Sequence, residues 1–138
     1  MKVDISSKKE SFKEYDIRGI YPVGIDEELI REVVRALVEK VFIKGKVVVG
    51  HDARNSSPSL YEAAINEFER HEGFDVIKVG MMTTPMLAFL IKDTEAVGGI
   101  CITASHNPKE YNGIKTAKRE EGIGIKVVGG KEIYSLIQ

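Results

Sequence analysis

Hydrophobic residues recur along the chain with two different spacings, and the changes between them predict helices and strands in turn. Between residues 26 and 41 they recur every three or four positions, which places them on one face of a helix with Asp26 as a suitable N-cap. The run KVVVG at 46–50 is too short and too rich in β-branched residues for a helix, so it predicts a buried strand. Ser57 and Pro58 suit the N-cap and first turn of a second helix.

The same alternation continues in the second half of the chain. Strands are predicted at 74–80 and 96–102, and a helix that opens at Thr84-Pro85 lies between them. A hairpin of NGIK and GIGIKVV follows, and then a short helix at 131–137. Strands that alternate with helices in units of about thirty residues are joined by right-handed crossovers. We therefore predict a single-domain α/β fold, a three-layer α/β/α structure with a mainly parallel mixed sheet.

Composition then narrows the class of protein. With 43% hydrophobic and 30% charged residues and a net charge of -1, the 138-residue chain can build a core and has no basic surplus for nucleic acid. Its first residues contain no apolar segment typical of a secretion signal, and no apolar run approaches membrane-spanning length. The single cysteine, Cys101, lies in an apolar run, which indicates a buried, inert thiol in a reducing compartment. We expect a cytoplasmic protein without nucleic-acid or membrane partners.

Polar stretches follow three of the predicted strands, namely HDARNS, MMTTP and TASHNP. Because the carboxyl ends of parallel strands meet at one edge of a sheet, and ligands bind there, we expect these loops to lie together. The third stretch places Ser105, His106 and Asn107 directly after an apolar run. Ser105 is therefore the first candidate for a functional side chain.

Two chemistries are open to Ser105. In acyl transfer its hydroxyl would need a base and an orienting carboxylate. His106 is its neighbour, and neighbours in an extended segment point to opposite sides, so a serine hydrolase is the weaker hypothesis. A serine that carries a phosphoryl group needs nearby cations instead, and Lys115 and Arg18 are candidates.

Ordinary structural roles are open to the same side chains. Lys115 fits a solvated position on a strand, and Arg18 fits an ion pair with Asp16 or Glu14. His106 and the Asn-Pro pair after it fit a turn. Spacing by itself leaves both sets of roles open.

Four stretches change this balance: FKEYDIRGIYP, GHDARNSSPSL, VGMMTTPML and TASHNPKEYNGIK, in this order between residues 12 and 115. Together they resemble the first domain of the α-D-phosphohexomutases, in the phosphomannomutase/phosphoglucomutase branch. TASHNP is a highly specific signature of that family. EYDIRGIYP favours this branch over the glucosamine-phosphate branch, whose opening is similar to GTDGVRG.

The resemblance implies an isomerase that moves a phosphoryl group within hexose 1- and 6-phosphates. It implies that Ser105 carries this group as phosphoserine, that Mg²⁺ binds through the phosphate on Ser105, and that a glucose 1,6-bisphosphate-type sugar acts as activator. Lys115 matches the lysine that assists proton transfer, and a neighbouring cation such as Arg18 would favour loss of its proton. The other implied site residues are catalytic Arg18 and His106, and substrate-binding Tyr15, Asn107 and Arg54. Arg54 is also expected to brace this edge of the sheet together with Asp52.

The resemblance covers only the first of the family's four domains. We expect residues 1–138 to be domain I, the phosphoserine domain, and find no counterpart of domains II–IV in the sequence. A metal loop similar to DGDGDR is missing, so Mg²⁺ would need ligands from a missing domain.

Without the other domains, most of the positioning that transfer needs is absent. We expect the isolated chain to be inactive and to work with the remaining mutase domains, in cis or in trans. Apolar surface for them is expected on the helix from Asp26 and near the C-terminus. The alternative is a stand-alone sugar-phosphate-binding or interaction module without catalysis.

Overall fold

One six-stranded mixed sheet forms the centre of the computed structural model, which describes residues 5–137. The strands are β1 (Ile17–Ile20), β2 (Gly45–His51), β3 (Phe74–Met81), β4 (Gly98–Ile102), β5 (Tyr111–Glu120) and β6 (Gly124–Val128). The helices are α1 (Glu27–Lys40), α2 (Ser57–Glu69), α3 (Pro85–Asp93) and α4 (Gly130–Ile137), with a 3-10 helix (Ser6–Ser11) before β1. The order in the sheet is β1-β5-β4-β2-β3, and β6 also pairs with β5.

The sheet has a parallel part and an antiparallel part. β2 pairs in parallel with both β3 and β4. The long strand β5 makes three antiparallel pairings, with β4 along one side and with β1 and then β6 along the other. The predicted α/β class and mixed sheet are confirmed, but the parallel part is smaller than expected because β5 has three partners.

Helices cover both faces of this sheet. α1, α2 and α4 pack on one face around the larger core cluster, which includes Phe68, Ile100 and Ile114. α3 packs on the other face around a smaller cluster that includes Val48 and Ile91. This arrangement confirms the predicted three layers. No helix within residues 5–137 combines the length and apolar character needed to cross a membrane.

The first residues of α1 and α2 show how the local sequence determines where a helix begins. The Asp26 side chain accepts a hydrogen bond from the Leu29 N–H over 2.8 Å, as an N-cap does. In α2 the N-cap position belongs to Ser56, and the prediction of Ser57 there is wrong. The Ser57 hydroxyl donates instead to Asp52 over 2.6 Å, which ties α2 to the loop before it.

Exposed apolar side chains gather on the side of α3. Met86 is 38% exposed and Phe89 65% exposed on this helix, and Val127 of β6 is 56% exposed. Val127 lies opposite Ala117, which belongs to the cluster under α3, so these residues share one face of the sheet. We call Met86, Phe89, Ile125 and Val127 the α3 face. The expectation of open apolar surface on α1 is wrong, because α2 and α4 cover its apolar stripe.

Candidate active site

Two loops meet at the carboxyl edge of the parallel strands. Residues 52–56 follow β2 and residues 103–110 follow β4, and the two strands are parallel neighbours. The Asp52 N–H donates to the Ile102 carbonyl over 2.9 Å, which continues the contact between the strands into the loops. Because β3 is parallel as well, its loop leaves the sheet at the same edge, and the predicted gathering of polar loops is confirmed.

Ser105 lies at the tip of the loop after β4, in a backbone conformation that few side chains adopt. Its φ is 54°, in the left-handed region, where a residue other than glycine costs roughly 1–2 kcal/mol. Its N–H donates to the Thr103 hydroxyl oxygen over 2.9 Å. The side chain is exposed, and its hydroxyl has no hydrogen-bond partner within residues 5–137. The surrounding contacts hold the strained turn in place and leave this hydroxyl available to a ligand.

Two clefts open beside this loop. One, of about 730 Å³, is lined by Ser105, Arg54, Asn107 and Lys109 among others. The other, of about 560 Å³, is lined by Arg18, Asn107, Ile20 and Val23 among others. Asn107 lines both clefts.

The guanidinium of Arg54 uses all five of its N–H donors within the chain. Nε donates to Asp52 Oδ2 over 3.0 Å. The two Nη atoms donate to the backbone carbonyl oxygens of Ser105 (2.7 Å), Asn107 (2.8 Å), Pro108 (2.6 Å) and Tyr111 (3.1 Å). A guanidinium with no spare donor fixes the loop, as expected for a brace at this edge. The implied contact of Arg54 with substrate stays a prediction.

The Asp52 carboxylate connects this brace to the rest of the edge. Oδ1 accepts from the Arg54 N–H over 3.0 Å and from the Ser57 hydroxyl, and Oδ2 accepts from Arg54 Nε and, over 2.7 Å, from the Thr103 hydroxyl. Burial would raise the pKa of Asp52, but the hydrogen bonds from Ser57, Thr103 and Arg54 outweigh it and lower the pKa below its ordinary value. Asp52 is thus a fixed anion beneath the Ser105 loop.

A second ionic cluster joins β1 to β5. The Asp16 side chain, only 4% exposed, accepts from Arg18 Nε at Oδ1 over 2.9 Å and from Lys115 Nζ at Oδ2 over 2.7 Å. The register of the antiparallel pair accounts for this, because it pairs Ile17 with Ile114, and Asp16 and Lys115 are the next residues beyond that pair. Arg18 Nη1 also donates to Asn107 Oδ1 over 2.8 Å, which connects the cluster to the Ser105 loop.

Five of the seven predicted site residues are thereby joined at this edge: Ser105, Arg18, Lys115, Asn107 and Arg54. The other two, Tyr15 and His106, are exposed and make no polar contact with other described residues. His106 in particular donates no hydrogen bond to Ser105 and accepts none from it in residues 5–137, so the dyad of a hydrolase has no support here.

Asp16 and Thr103 were not predicted as site residues, although both lie in the network. Asp16 stands two residues before Arg18, a spacing that puts both side chains on one face of a strand. This spacing is the feature of the sequence that could have indicated a pair of Asp16 and Arg18. The pairing of Asp16 with Lys115 depends on the strand register and has no local signal.

No group of three or more acidic, histidine or cysteine side chains among residues 5–137 is arranged to hold a metal ion. The described residues therefore do not by themselves fit the Mg²⁺ that the resemblance implies.

The model of one protein family, described as phosphoglucomutase/phosphomannomutase, alpha/beta/alpha domain I, matches residues 9–138. The chain belongs to this family. This domain I chain is 41% identical over 110 residues to a protein named phosphohexose mutases from Xanthomonas campestris pv. campestris, covering 80% of the chain and 24% of that protein. It is 47% identical over 102 residues to phosphoglucosamine mutase of Thermotoga maritima, covering 74% of the chain and 23% of that protein.

A solved structure supports the same relationship. The crystal structure of a phosphoglucomutase/phosphomannomutase family protein from Burkholderia thailandensis matches with a TM-score of 0.68 at 30% identity. The match covers 93% of the domain I chain and 29% of the Burkholderia protein. The chain spans about a quarter of the length of the curated relatives described above. Since the relatives include a phosphoglucosamine mutase, the preference for the mannose/glucose branch stays a prediction.

Proposed function

We propose that this domain carries the transferred phosphoryl group of a phosphohexomutase on Ser105, as phosphoserine. The observation that carries the proposal is the position of this residue, whose exposed hydroxyl is unpartnered within residues 5–137 on a turn clamped by Arg54. A phosphoryl carrier needs an accessible oxygen on a backbone that keeps its place during transfer. The names of the relatives, phosphohexose mutases and phosphoglucosamine mutase, support a reaction on hexose 1- and 6-phosphates.

One P–O bond breaks and one forms in each half of the proposed reaction. The phosphorus leaves Ser105 Oγ and bonds to the free hydroxyl oxygen of a hexose monophosphate, giving a bisphosphate. The proton of that hydroxyl moves to Ser105 Oγ, directly or by way of Lys115. The bisphosphate then returns its other phosphoryl group to Ser105 with the proton moving in the opposite direction, and the isomeric monophosphate leaves.

The charges around the loop support an anion at this place. Arg18 and Lys115 supply two positive charges and Asp16 one negative charge, which leaves a net +1 next to the loop. Such a balance favours a phosphate group with two negative charges. In this proposal the exposed side chains of Tyr15 and His106 contact the sugar phosphate. Mg²⁺, which would neutralise charge on the phosphate of Ser105, would need its protein ligands from further polypeptide.

Further polypeptide is part of the proposal for a second reason. The relatives are about four times as long as the match, and in-line transfer needs the sugar held on the side away from Ser105. The α3 face, with Phe89 65% exposed and Val127 56% exposed, offers apolar surface for that polypeptide in cis or in trans. We therefore expect residues 1–138 by themselves to be an inactive domain I.

The test uses the protein isolated from its native source, with whatever polypeptide it is attached to or assembled with. After incubation with glucose 1,6-bisphosphate, peptide mass spectrometry should locate one phosphate on Ser105, and the preparation should interconvert hexose 1- and 6-phosphates. Ser105→Ala should abolish both, whereas Ser135→Ala, at an exposed serine of α4, should leave both unchanged. Turnover that survives Ser105→Ala would overturn the proposal. Saturable sugar-phosphate binding without phosphate on Ser105 would favour the non-catalytic module instead.

A further inference from the structure

The Asp16 carboxylate divides its two oxygens between the two cations of the proposed site. Oδ1 faces Arg18 Nε and Oδ2 faces Lys115 Nζ, at 2.9 and 2.7 Å. Both are charge-assisted hydrogen bonds, which are short and directional. The carboxylate is 4% exposed, while Arg18 and Lys115 remain 30% and 25% exposed. The anion is therefore in the interior, and the cations reach from it towards solvent.

The backbone of Asp16 is fixed as firmly as its side chain. Its carbonyl oxygen accepts a hydrogen bond from the Lys13 N–H over 2.8 Å. The same carbonyl lies against Gly130 at the start of α4, so closely that a Cβ at this glycine would stand 2.2 Å from the oxygen. Because this backbone is fixed, the carboxylate that binds both cations also keeps a fixed position.

The strand opposite Arg18 is also shaped for close approach. Gly113 of β5 pairs with Arg18 in the register, and a Cβ on Gly113 would lie 2.1 Å from the Ile17 carbonyl oxygen. Glycine therefore lets β1 lie tightly against β5 at this point. The distance between Arg18 on β1 and Lys115 on β5 is set by this pairing and by the carboxylate between them.

We propose that Asp16 is a positioning residue for phosphoryl transfer at Ser105, an inference that rests on the proposed function. Arg18 and Lys115 repel each other, and Asp16 holds them side by side in one orientation, with Arg18 also held to Asn107. Without the carboxylate both cations remain near the loop and still attract phosphate, but their directions are no longer fixed. Loss of Asp16 therefore reduces the rate of transfer and spares the binding of the sugar phosphate.

The first experiment measures the positioning itself and needs no catalysis. In the 138-residue chain, NMR should show slow solvent exchange of the Arg18 Nε–H, because this proton is bonded to a buried carboxylate. Asp16→Asn should speed that exchange at least tenfold. Glu14→Gln removes an equal charge two residues away at an exposed side chain, and it should leave the exchange unchanged. Equal exchange in Asp16→Asn and the unchanged chain would overturn the positioning role, whatever the activity of the protein.

The second experiment measures transfer in the preparation from the native source. We expect Asp16→Asn to slow phosphorylation of Ser105 by glucose 1,6-bisphosphate about 10- to 100-fold, with less than about a threefold change in KM for the bisphosphate. Asp16→Glu keeps the charge and displaces it by one methylene. Its rate of Ser105 phosphorylation should therefore lie between the rates of Asp16→Asn and of the unchanged protein. Glu14→Gln should match the unchanged protein.

The outcomes separate this inference from the function on which it rests. If Ser105→Ala abolishes transfer but Asp16→Asn reacts within twofold of the unchanged protein, Asp16 has no positioning role and the proposed function stands. If Ser105→Ala transfers normally, the proposed function is wrong, and the exchange of the Arg18 Nε–H still reports on Asp16. If Asp16→Asn does not fold, Asp16→Glu decides, and a rate equal to that of the unchanged protein overturns the inference.

Discussion

Arg54 donates a hydrogen bond from Nη2 to the carbonyl oxygen of Ser105 over 2.7 Å, so the tip of the loop is held by its backbone. The side chain of Ser105 takes no part in this contact. The proposed chemistry benefits from that separation, because a bond can form and break at Ser105 Oγ while the hydrogen bonds that hold the loop stay intact.

Replacing Arg54 should therefore loosen the loop and destabilise the protein. Arg54→Lys keeps the charge but cannot reach four carbonyl oxygens and Asp52 together. The side chain is 11% exposed, and we expect a loss of about 2–3 kcal/mol in the free energy of unfolding, measured by urea denaturation. Arg70→Lys, at a side chain that is 74% exposed, should change it by less than about 0.5 kcal/mol. Equal effects of the two substitutions would contradict the bracing role.

Asp52 should make stability depend on pH in the acid range. Its pKa is lowered in the folded protein because hydrogen bonds outweigh the effect of burial, so the unfolded chain binds the proton more readily. The stabilisation is complete above the ordinary pKa of about 4 and is lost as the pH falls through the folded value below it.

Urea denaturation between about pH 2.5 and pH 5 measures this effect. In the unchanged protein the free energy of unfolding should rise with pH in this window, and in Asp52→Asn the rise should be smaller. Asp75→Asn removes an exposed carboxylate and serves as the control for the loss of one charge. A rise of the same size in Asp52→Asn and in the unchanged protein would show that Asp52 does not contribute.

The left-handed backbone of Ser105 leads to a prediction that separates stability from chemistry. At φ 54° glycine is less strained than any residue with a Cβ. Ser105→Gly should therefore be more stable than Ser105→Ala by about 1 kcal/mol, while both lack the oxygen that would carry phosphate. Thermal unfolding of the two variants measures the difference, and an Ala variant as stable as the Gly variant would show that the turn is not strained.

The elements that were predicted correctly are those in which neighbouring residues contain enough information. The spacing in α1 and the β-branched run in β2 specify a helix and a strand without help from distant residues. β1 was not predicted, because IRGI is only four residues long and has no hydrophobic pattern. It is a strand because β5 offers it a partner edge. β5 itself continues past NGIK to Glu120, where pairing with β6 overrides the polar sequence.

For the site as well, the local sequence predicted the residues but not the contacts between them. Ser105, Lys115 and Arg18 were proposed from motifs, which are local stretches of sequence. The contacts that organise them are not local: Asp16 and Lys115 are 99 residues apart in the chain, and Arg54 and Ser105 are 51 apart. Such pairs follow from sheet order and register, and one sequence by itself does not specify these.

The α3 face provides the last prediction, which concerns the polypeptide proposed to complete the mutase. In the preparation from the native source, backbone amides of α3 should exchange with solvent at least tenfold more slowly than in the 138-residue chain, because the face becomes covered. Phe89→Lys should abolish this extra protection and change the stability of the 138-residue chain by less than about 0.5 kcal/mol, since Phe89 is 65% exposed. Ile43→Lys, at an apolar residue 75% exposed before β2, should keep the protection. Equal exchange of α3 in both preparations would show that the completing polypeptide binds elsewhere.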